Sequence, residues 1–486
     1  MKKLFIFICL LTFSILLNCR PGEDILASFE GGKIQRKHLR EFYDLNDAPR
    51  NEKSMSVATQ KMVVEQLAIQ EIFEIESEKN KFFDRDDIKN ILFFSEKEMI
   101  VNLFLKNFFE SKKKSEPLEL VNIQFALIYT NDEGKIQSAQ NEISGLKDDE
   151  KIEEALSVLT QEEGRKCVGG HLEPQCINCS EQDQIIGIFQ EGIQKNDSNF
   201  YVFKDGTKAF IYRINKRKKV YAEDLESHLS KEFKILRDKA INYTNTHNTD
   251  MDKQNAAYYL EDGERLEEKS KLTVNHFLKG FQNRVISSEI KRLQTEKQFK
   301  INEEMRVNPE LFKQSETVLL STPTESYKVA NLEDDFKKIF PDSKNNENIQ
   351  EKLNFFQGII VPTKLISDTE DGDKIRKSEN FKSGYGYLRR NLAYNIQKNE
   401  MEKNIKEVSD SEIKEIYEAG KQFQYSTPNP KNPSEKIPLP FESVKDRIKK
   451  EIISKEAESQ FSQKIQTLKN NYKLELHLDK LKEGSI

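Results

Sequence analysis

The 486-residue sequence contains no tryptophan, and its 77 basic residues are outnumbered by 82 acidic ones. The chain therefore lacks the basic excess of a nucleic-acid-binding protein. Its short basic run, Lys112-Lys113-Lys114, is flanked by Glu110 and Glu116 and reads as a solvated helix face. No phosphate-cradling P-loop motif is present, which argues against nucleotide-driven action. Beyond Leu17 no apolar run is long enough to span a bilayer. Nothing in the sequence calls for a cofactor. What is present is charge, 33% of residues, and enough length to require two or more cores.

The N-terminus is different in character. Lys2-Lys3 precedes an apolar run from Leu4 to Leu17, a basic n-region followed by the short h-region of an export signal. Leu16-Leu17-Asn18-Cys19 resembles a bacterial lipobox, with Cys19 as the lipidated residue. The expected product is a lipid-anchored protein of the cell envelope, at the periplasmic face of the inner or outer membrane. Residues 1–18 form the signal peptide and 19–24 the tether. Export also bears on Cys167, Cys176 and Cys179. An oxidising compartment favours one disulfide among them with a spare thiol. With His171 the same residues could instead supply four zinc ligands. A redox pair at Cys176 and Cys179 lacks a thioredoxin-like βαβ pattern around it.

The middle of the chain is organised around two short apolar runs, Val121–Ile128 and Ala209–Ile214. Both are bounded by turn residues and read as strands. Between them, Ala139, Ile143, Leu146, Ile152, Ala155 and Leu159 carry helical spacing, followed by Gly169-Gly170-His171-Leu172. A further helix signal lies at Ile185, Ile186 and Phe189. This order resembles the parvulin family of prolyl isomerases. The resemblance implies a domain over 118–217 with the Gly-Gly loop at Gly169–Glu173. It places the family's two active-site histidines at about Phe125 and Phe210, so that strong isomerase activity is not expected. It places the family's acid near Glu163, the candidate catalytic residue. A substrate pocket would be lined by Phe125, Leu172, Ile185, Phe189 and Phe210.

Around that unit the pattern is mainly helical. Ile25–Phe29 reads as a strand, Glu30–Lys33 as a turn, and Met55–Ile75 and Asp84–Phe109 as helices. The second carries more apolar residues than one stripe needs. It is expected to be buried on two sides, or in part to line a groove for apolar client segments. Asn245–Gln254 reads as a linker and Gln424–Pro440, with its prolines, as a loop. Val408-Ser-Asp-Ser-Glu412 carries a capping box. Ile25, Ile34 and Leu39 recur in spacing as Val318, Tyr327 and Leu332, and Leu293–Ile301 echoes Ile465–Leu474 with one residue inserted. The chain thus reads as two diverged halves, the first carrying an insertion.

Ile25–Ile34, Val408–Tyr417, Pro440–Ile448 and Tyr472–Leu476 resemble the SurA/PrsA/PpiD group of extracytoplasmic foldases. The resemblance implies an α+β protein in which N- and C-terminal segments form a mainly helical chaperone body carrying an inserted parvulin-like domain. The corresponding segments are 25–117, the N-terminal helical part; 118–217, the inserted domain; 218–312, a helical connection; and 313–486, the C-terminal helical part. The implied partners are unfolded or nascent exported polypeptides, and the membrane through the anchor, with no nucleic acid. Two other functions stay open: an active prolyl isomerase, and a structural or surface lipoprotein without chaperone activity.

Overall fold

The first hairpin of the chain is built twice. The computed structural model describes residues 25–45, 56–179, 187–247, 249–260, 263–340, 349–430 and 432–481. The signal segment, Cys19 and Ile185 lie outside the described residues.

In chain order, β1 (Ile25–Phe29) and β2 (Gly32–Gln35) lead into α1 (Arg36–Leu45), α2 (Val57–Lys79) and α3 (Asp86–Ser115). Then come β3 (Leu118–Tyr129), α4 (Glu133–Ser144), α5 (Asp149–Leu159), α6 (Glu163–Lys166), β4 (Gln175–Cys176), α7 (Gln190–Lys195), β5 (Tyr201–Asp205) and β6 (Lys208–Val220). A helical stretch follows: α8 (Leu225–Thr246), α9 (Asp250–Ala256) and α10 (Gly263–Glu296). Next are β7 (Lys300–Ile301), β8 (Val318–Ser321), β9 (Ser326–Lys328), α11 (Val329–Ile339) and α12 (Ile349–Phe355). The chain ends with α13 (Glu370–Arg376), α14 (Glu379–Asn404), α15 (Asp410–Gly420), β10 (Ser426–Asn429), β11 (Asn432–Pro438), α16 (Phe441–Asn471) and β12 (Glu475–Leu476). The fold is mixed α+β, mainly helical, with small antiparallel sheets.

Contacts divide the chain into two units. One gathers the residues up to Ile100 with Leu332–Thr363 and Ser367 onward; the other holds Val101–Asn331 with Lys364–Ile366. The division falls inside α3, not at residue 117. Residues 218–312 are not a mere connection: Leu229, Phe233, Phe277 and Phe281 share a core with Leu118, Leu120 and Cys176 of the sheet. Gly280 lets this happen, since a Cβ there would lie 2.6 Å from the carbonyl oxygen of Cys179.

In the first unit, Leu26, Ile34, Leu39, Leu67 and Phe73 pack with Phe461, Leu468 and Tyr472 from the far end of the chain. The apolar excess of α3 is mostly taken up by packing. Ile88, Leu92 and Phe94 are buried, Leu103, Phe104 and Leu105 are half-buried, and Phe93 is exposed with the Lys97 ammonium 4.2 Å above its ring.

The two hairpins share a register. β1 pairs β2 through Ile25 with Gln35 and Ala27 with Ile34, with an irregularity between Ile25 and Ala27. β8 pairs β9 through Val318 with Lys328 and Leu320 with Tyr327, with the same irregularity between Val318 and Leu320. Each hairpin gains a third strand from the end of a long helix, β12 on β1 and β7 on β8. Both helices stop the same way. Lys473 and Gln298 take left-handed backbone, φ 50° in each. The next amide donates back into the helix, Leu474 to Lys469 O and Phe299 to Gln294 O. Leu293–Ile301 therefore matches Leu468–Leu476 without a gap, in place of the one-residue insertion the sequence suggests.

Other local expectations change. The linker at 245–254 is the end of α8 and the start of α9, whose Thr249 and Asp252 form a capping box. Gln424–Pro440 contains the β10–β11 hairpin. Tyr472-Lys-Leu-Glu-Leu-His-Leu478 alternates as a strand does, but it pairs as one only over Glu475–Leu476. At α15 the Ser409–Glu412 capping box is made reciprocally. Ser409→Ala is expected to cost about 1 kcal/mol, read as a lower urea midpoint for that unit.

Candidate functional site

The sheet of the second unit runs β4-β3-β6-β5. Its central pair sets the chemistry, because alternation sends successive side chains to opposite faces. Phe125 lies opposite Tyr212, Leu127 opposite Phe210, and Gln124 opposite Arg213.

On one face, Phe125, Leu172 and Phe189 come together with Tyr212, and Phe210 lies partly buried against them. Phe189 is 5.9 Å from Phe125, 6.4 Å from Phe210 and 4.9 Å from Tyr212 between ring centroids. Phe125, Leu172, Phe189 and Phe210 are four of the five residues expected to line a substrate pocket; the fifth, Ile185, lies outside the described residues. Phe125, Leu172 and Phe189 retain only 4%, 9% and 2% of their exposure and lie in one buried cluster. Phe125 and Phe210 are not cross-strand partners either. Glu163 stands exposed on α6 and pairs with Lys166 at 2.6 Å, on neither face of this cluster by any contact it makes.

The opposite face carries a buried polar chain. The Arg213 Nε donates to Gln124 Oε1 at 2.8 Å, and Nη2 reaches Asp149 Oδ1 at 2.7 Å. The Gln124 amide nitrogen then faces His171 Nε2 at 2.9 Å. The same imidazole nitrogen lies 3.1 Å from Glu153 Oε1, and Lys239 Nζ donates to the other Glu153 oxygen at 2.5 Å. One nitrogen cannot both accept from Gln124 and donate to Glu153, so the position of the imidazole proton selects the neighbour.

The Gly-Gly loop delivers His171 to this face. Gly169 and Gly170 take φ of 59° and 75°, which L side chains resist. The loop then runs along β3 as a short extra strand: the Phe125 amide donates to Gly170 O and the Leu172 amide to Ile123 O. Arg165 braces the loop from behind, donating to Glu173 at 3.0 Å and to the Tyr259 hydroxyl.

Burial raises the pKa of Glu153, but hydrogen bonds and charge from His171 and Lys239 outweigh it and hold the carboxylate below its ordinary value near 4.5. The sign follows from linkage. The folded pKa is depressed, so the stabilisation is complete above the ordinary value and is lost as pH falls through the depressed one. Glu153→Gln should therefore lower the urea midpoint most at neutral pH, and the gap to the parent should narrow in the acid range.

This face opens on a cleft of about 620 Å³ lined by α5, residues 166–169 and the end of α8. Asp149, Glu153 and Lys239 reach it from the polar chain, and Val158, Tyr243 and His247 add apolar and aromatic surface. Tyr243 and His247 stack with centroids 4.3 Å apart. Among the described residues, no activated nucleophile faces the cleft. Ser157 Oγ donates to Lys166 O, and burial pushes the Cys167 thiol up to about 11, where it stays protonated at neutral pH. The lining offers charged, hydrogen-bonding and apolar side chains.

The three cysteines among the described residues are placed plainly. Cys176 and Cys179 form a disulfide, and Cys167 is the free, buried thiol. A zinc set of Cys167, His171, Cys176 and Cys179 does not assemble, because two sulfurs are bonded to each other and His171 Nε2 is turned to Gln124 and Glu153. Among the described residues no metal-ligating group of three or more is found, and no helix is long and apolar enough to cross a membrane. Sequence reasoning missed Gln124 and Arg213, although each is a polar residue with an apolar or aromatic neighbour on either side in its strand. Lys239, Tyr243 and His247 gave no local signal.

A family model described as ":-like" matches residues 1–486, and the chain belongs to that family. The description carries no activity. No curated protein matches the chain. Among solved structures, the chain is similar to foldase protein PrsA from Streptococcus pneumoniae at 13% identity, with a TM-score of 0.19, covering 49% of this chain and 95% of that one.

Proposed function

We propose that this chain is a lipid-anchored chaperone of the cell envelope that holds unfolded exported polypeptides without using nucleotide. In this reading the first unit is the chaperone body, residues 118–217 are a parvulin-like module with little or no isomerase activity, and Cys19 carries the anchor. The anchor rests on the sequence Leu16-Leu17-Asn18-Cys19 alone.

The observation that carries the reading is the cleft beside α5. It is open, mixes charged and apolar lining and, among the described residues, offers no activated nucleophile. Such a lining suits many polypeptide segments, because it demands no fixed hydrogen-bond pattern. Weak isomerase activity is supported by the filled aromatic cluster. An isomerase must favour a twisted prolyl amide over the planar one, and Phe125, Leu172 and Phe189 are buried against one another with almost no exposure to a substrate.

The test uses the chain from Arg20 onward in two parallel assays. One follows suppression of aggregation of an unfolded outer-membrane-type client; the other follows isomerisation of a Pro-containing peptide. Suppression without isomerisation is the expected result. Fast isomerisation would favour an active enzyme, and failure of both would leave a structural lipoprotein.

A further inference from the structure

We propose that the α5 cleft selects segments of unfolded polypeptide in which a basic side chain lies close to an apolar one. The proposal rests on the chaperone reading and names the client chemistry for the same cleft.

The cleft has an uneven balance of charge. Four carboxylates of α5 line it: Asp149, Glu150, Glu153 and Glu154. Two are neutralised within the fold, Asp149 by Arg213 and Glu153 by Lys239. The Lys166 ammonium, also in the cleft, is taken by Glu163. Glu150 and Glu154 are exposed and, among the described residues, neither carboxylate has an ion-pair or hydrogen-bond partner. The unmatched charge of the cleft is thus negative and confined to one helix.

Spacing adds the second half of the specificity. Glu150, Glu154 and Val158 follow one another at four-residue intervals, so they stand on one face of α5. Val158 keeps 77% of its exposure, a β-branched side chain left in water beside two free acids. Across the cleft lie Asn242 and the stacked Tyr243 and His247. A peptide lying along α5 would place a Lys or Arg at the acid end and an apolar side chain between Val158 and the aromatic pair. The aromatic faces would also receive a cation favourably. An acidic segment would meet uncompensated repulsion, so selection works by exclusion as well as by attraction.

The probe is a short fluorescent peptide of Lys and Leu, compared with the same peptide carrying Glu for Lys, titrated onto the full mature chain. The Lys peptide is expected to bind and to weaken as salt is raised; the Glu peptide is expected not to bind. The double charge reversal E150K/E154K should weaken the Lys peptide at least tenfold with an unchanged melting temperature, because both positions are exposed. V158D should weaken it several-fold. Equal binding by parent and E150K/E154K, or no preference for the Lys peptide, would overturn the proposal. Aggregation suppression by the parent is measured alongside. Its loss would sink the chaperone reading, whereas suppression that survives in E150K/E154K together with unchanged peptide binding would sink only the assignment of this cleft.

Discussion

Replacing Phe189 with alanine should lower stability by about 3–5 kcal/mol and should do so with no peptide present. The ring is 2% exposed and meets three other aromatic rings, those of Phe125, Phe210 and Tyr212. Deleting it removes the transfer energy of a buried ring and leaves a cavity whose walls are held by two long paired strands. Those strands cannot collapse inward without breaking register, so little of the cavity should be recovered. Denaturant unfolding of the full chain, followed by fluorescence of tyrosines such as Tyr212, measures the loss. The comparison with Leu172→Ala is informative. A pocket-lining residue would change ligand affinity at little cost in stability. Two residues of one core should both destabilise, and less than additively because they share the cluster.

Gly170→Ala should be nearly as severe, for a different reason. The residue holds φ of 75°, a conformation that costs an ordinary L residue roughly 1–2 kcal/mol. Its Cβ would also sit 2.5 Å from the carbonyl oxygen of Phe125 and 3.1 Å from Leu156 Cβ. The backbone oxygen cannot step aside, because Phe125 donates its own amide to Gly170 O and the two chains are tied at that point. The expected response is detachment of the loop from β3, which removes His171 from Gln124 and Glu153 and leaves both without that partner. Hydrogen exchange at the Phe125 and Leu172 amides reads this directly. Fast exchange at both in the variant is expected, with β5 and β6 protected as before. A Gly164→Ala control tests whether the effect is local, since a Cβ there meets nothing closer than 3.8 Å.

These two positions also mark where the sequence was and was not legible. Gly169-Gly170, the bounding turns of β3 and β6, and the Ser409 capping box are local signals, and each sits in the element its residues suggest. The cysteine arithmetic leads to a disulfide with a spare thiol, but spacing alone did not say which two would pair. The faces of the central strands were hidden. Val121–Ile128 is apolar almost throughout, so alternation does not announce which side is which, and the register shifts between Asn122 and Ile123. A shift of one residue exchanges faces. Phe125 and Phe210 drew attention through the parvulin resemblance, whereas nothing in the strand pattern set apart Gln124 and Arg213, the polar cross-strand pair. Lys239 joins Glu153 from a helix far along the chain, a contact no window of sequence contains.

The duplicated hairpins have a consequence for how the protein is made. The second closes locally: β7 ends at Ile301 and pairs with β8, which begins at Val318. The first has no such neighbour. Ala27 and Ser28 must wait for Leu476 and Glu475, almost the last described residues of the chain. The loop-closure entropy grows only slowly with length, so the finished sheet loses little stability by this route. Time is another matter, because contacts between distant residues form late. A chain that emerges N-terminus first holds β1 with an open edge until nearly all the rest has followed. The sheet of the first hairpin is begun first and completed only when β12 arrives.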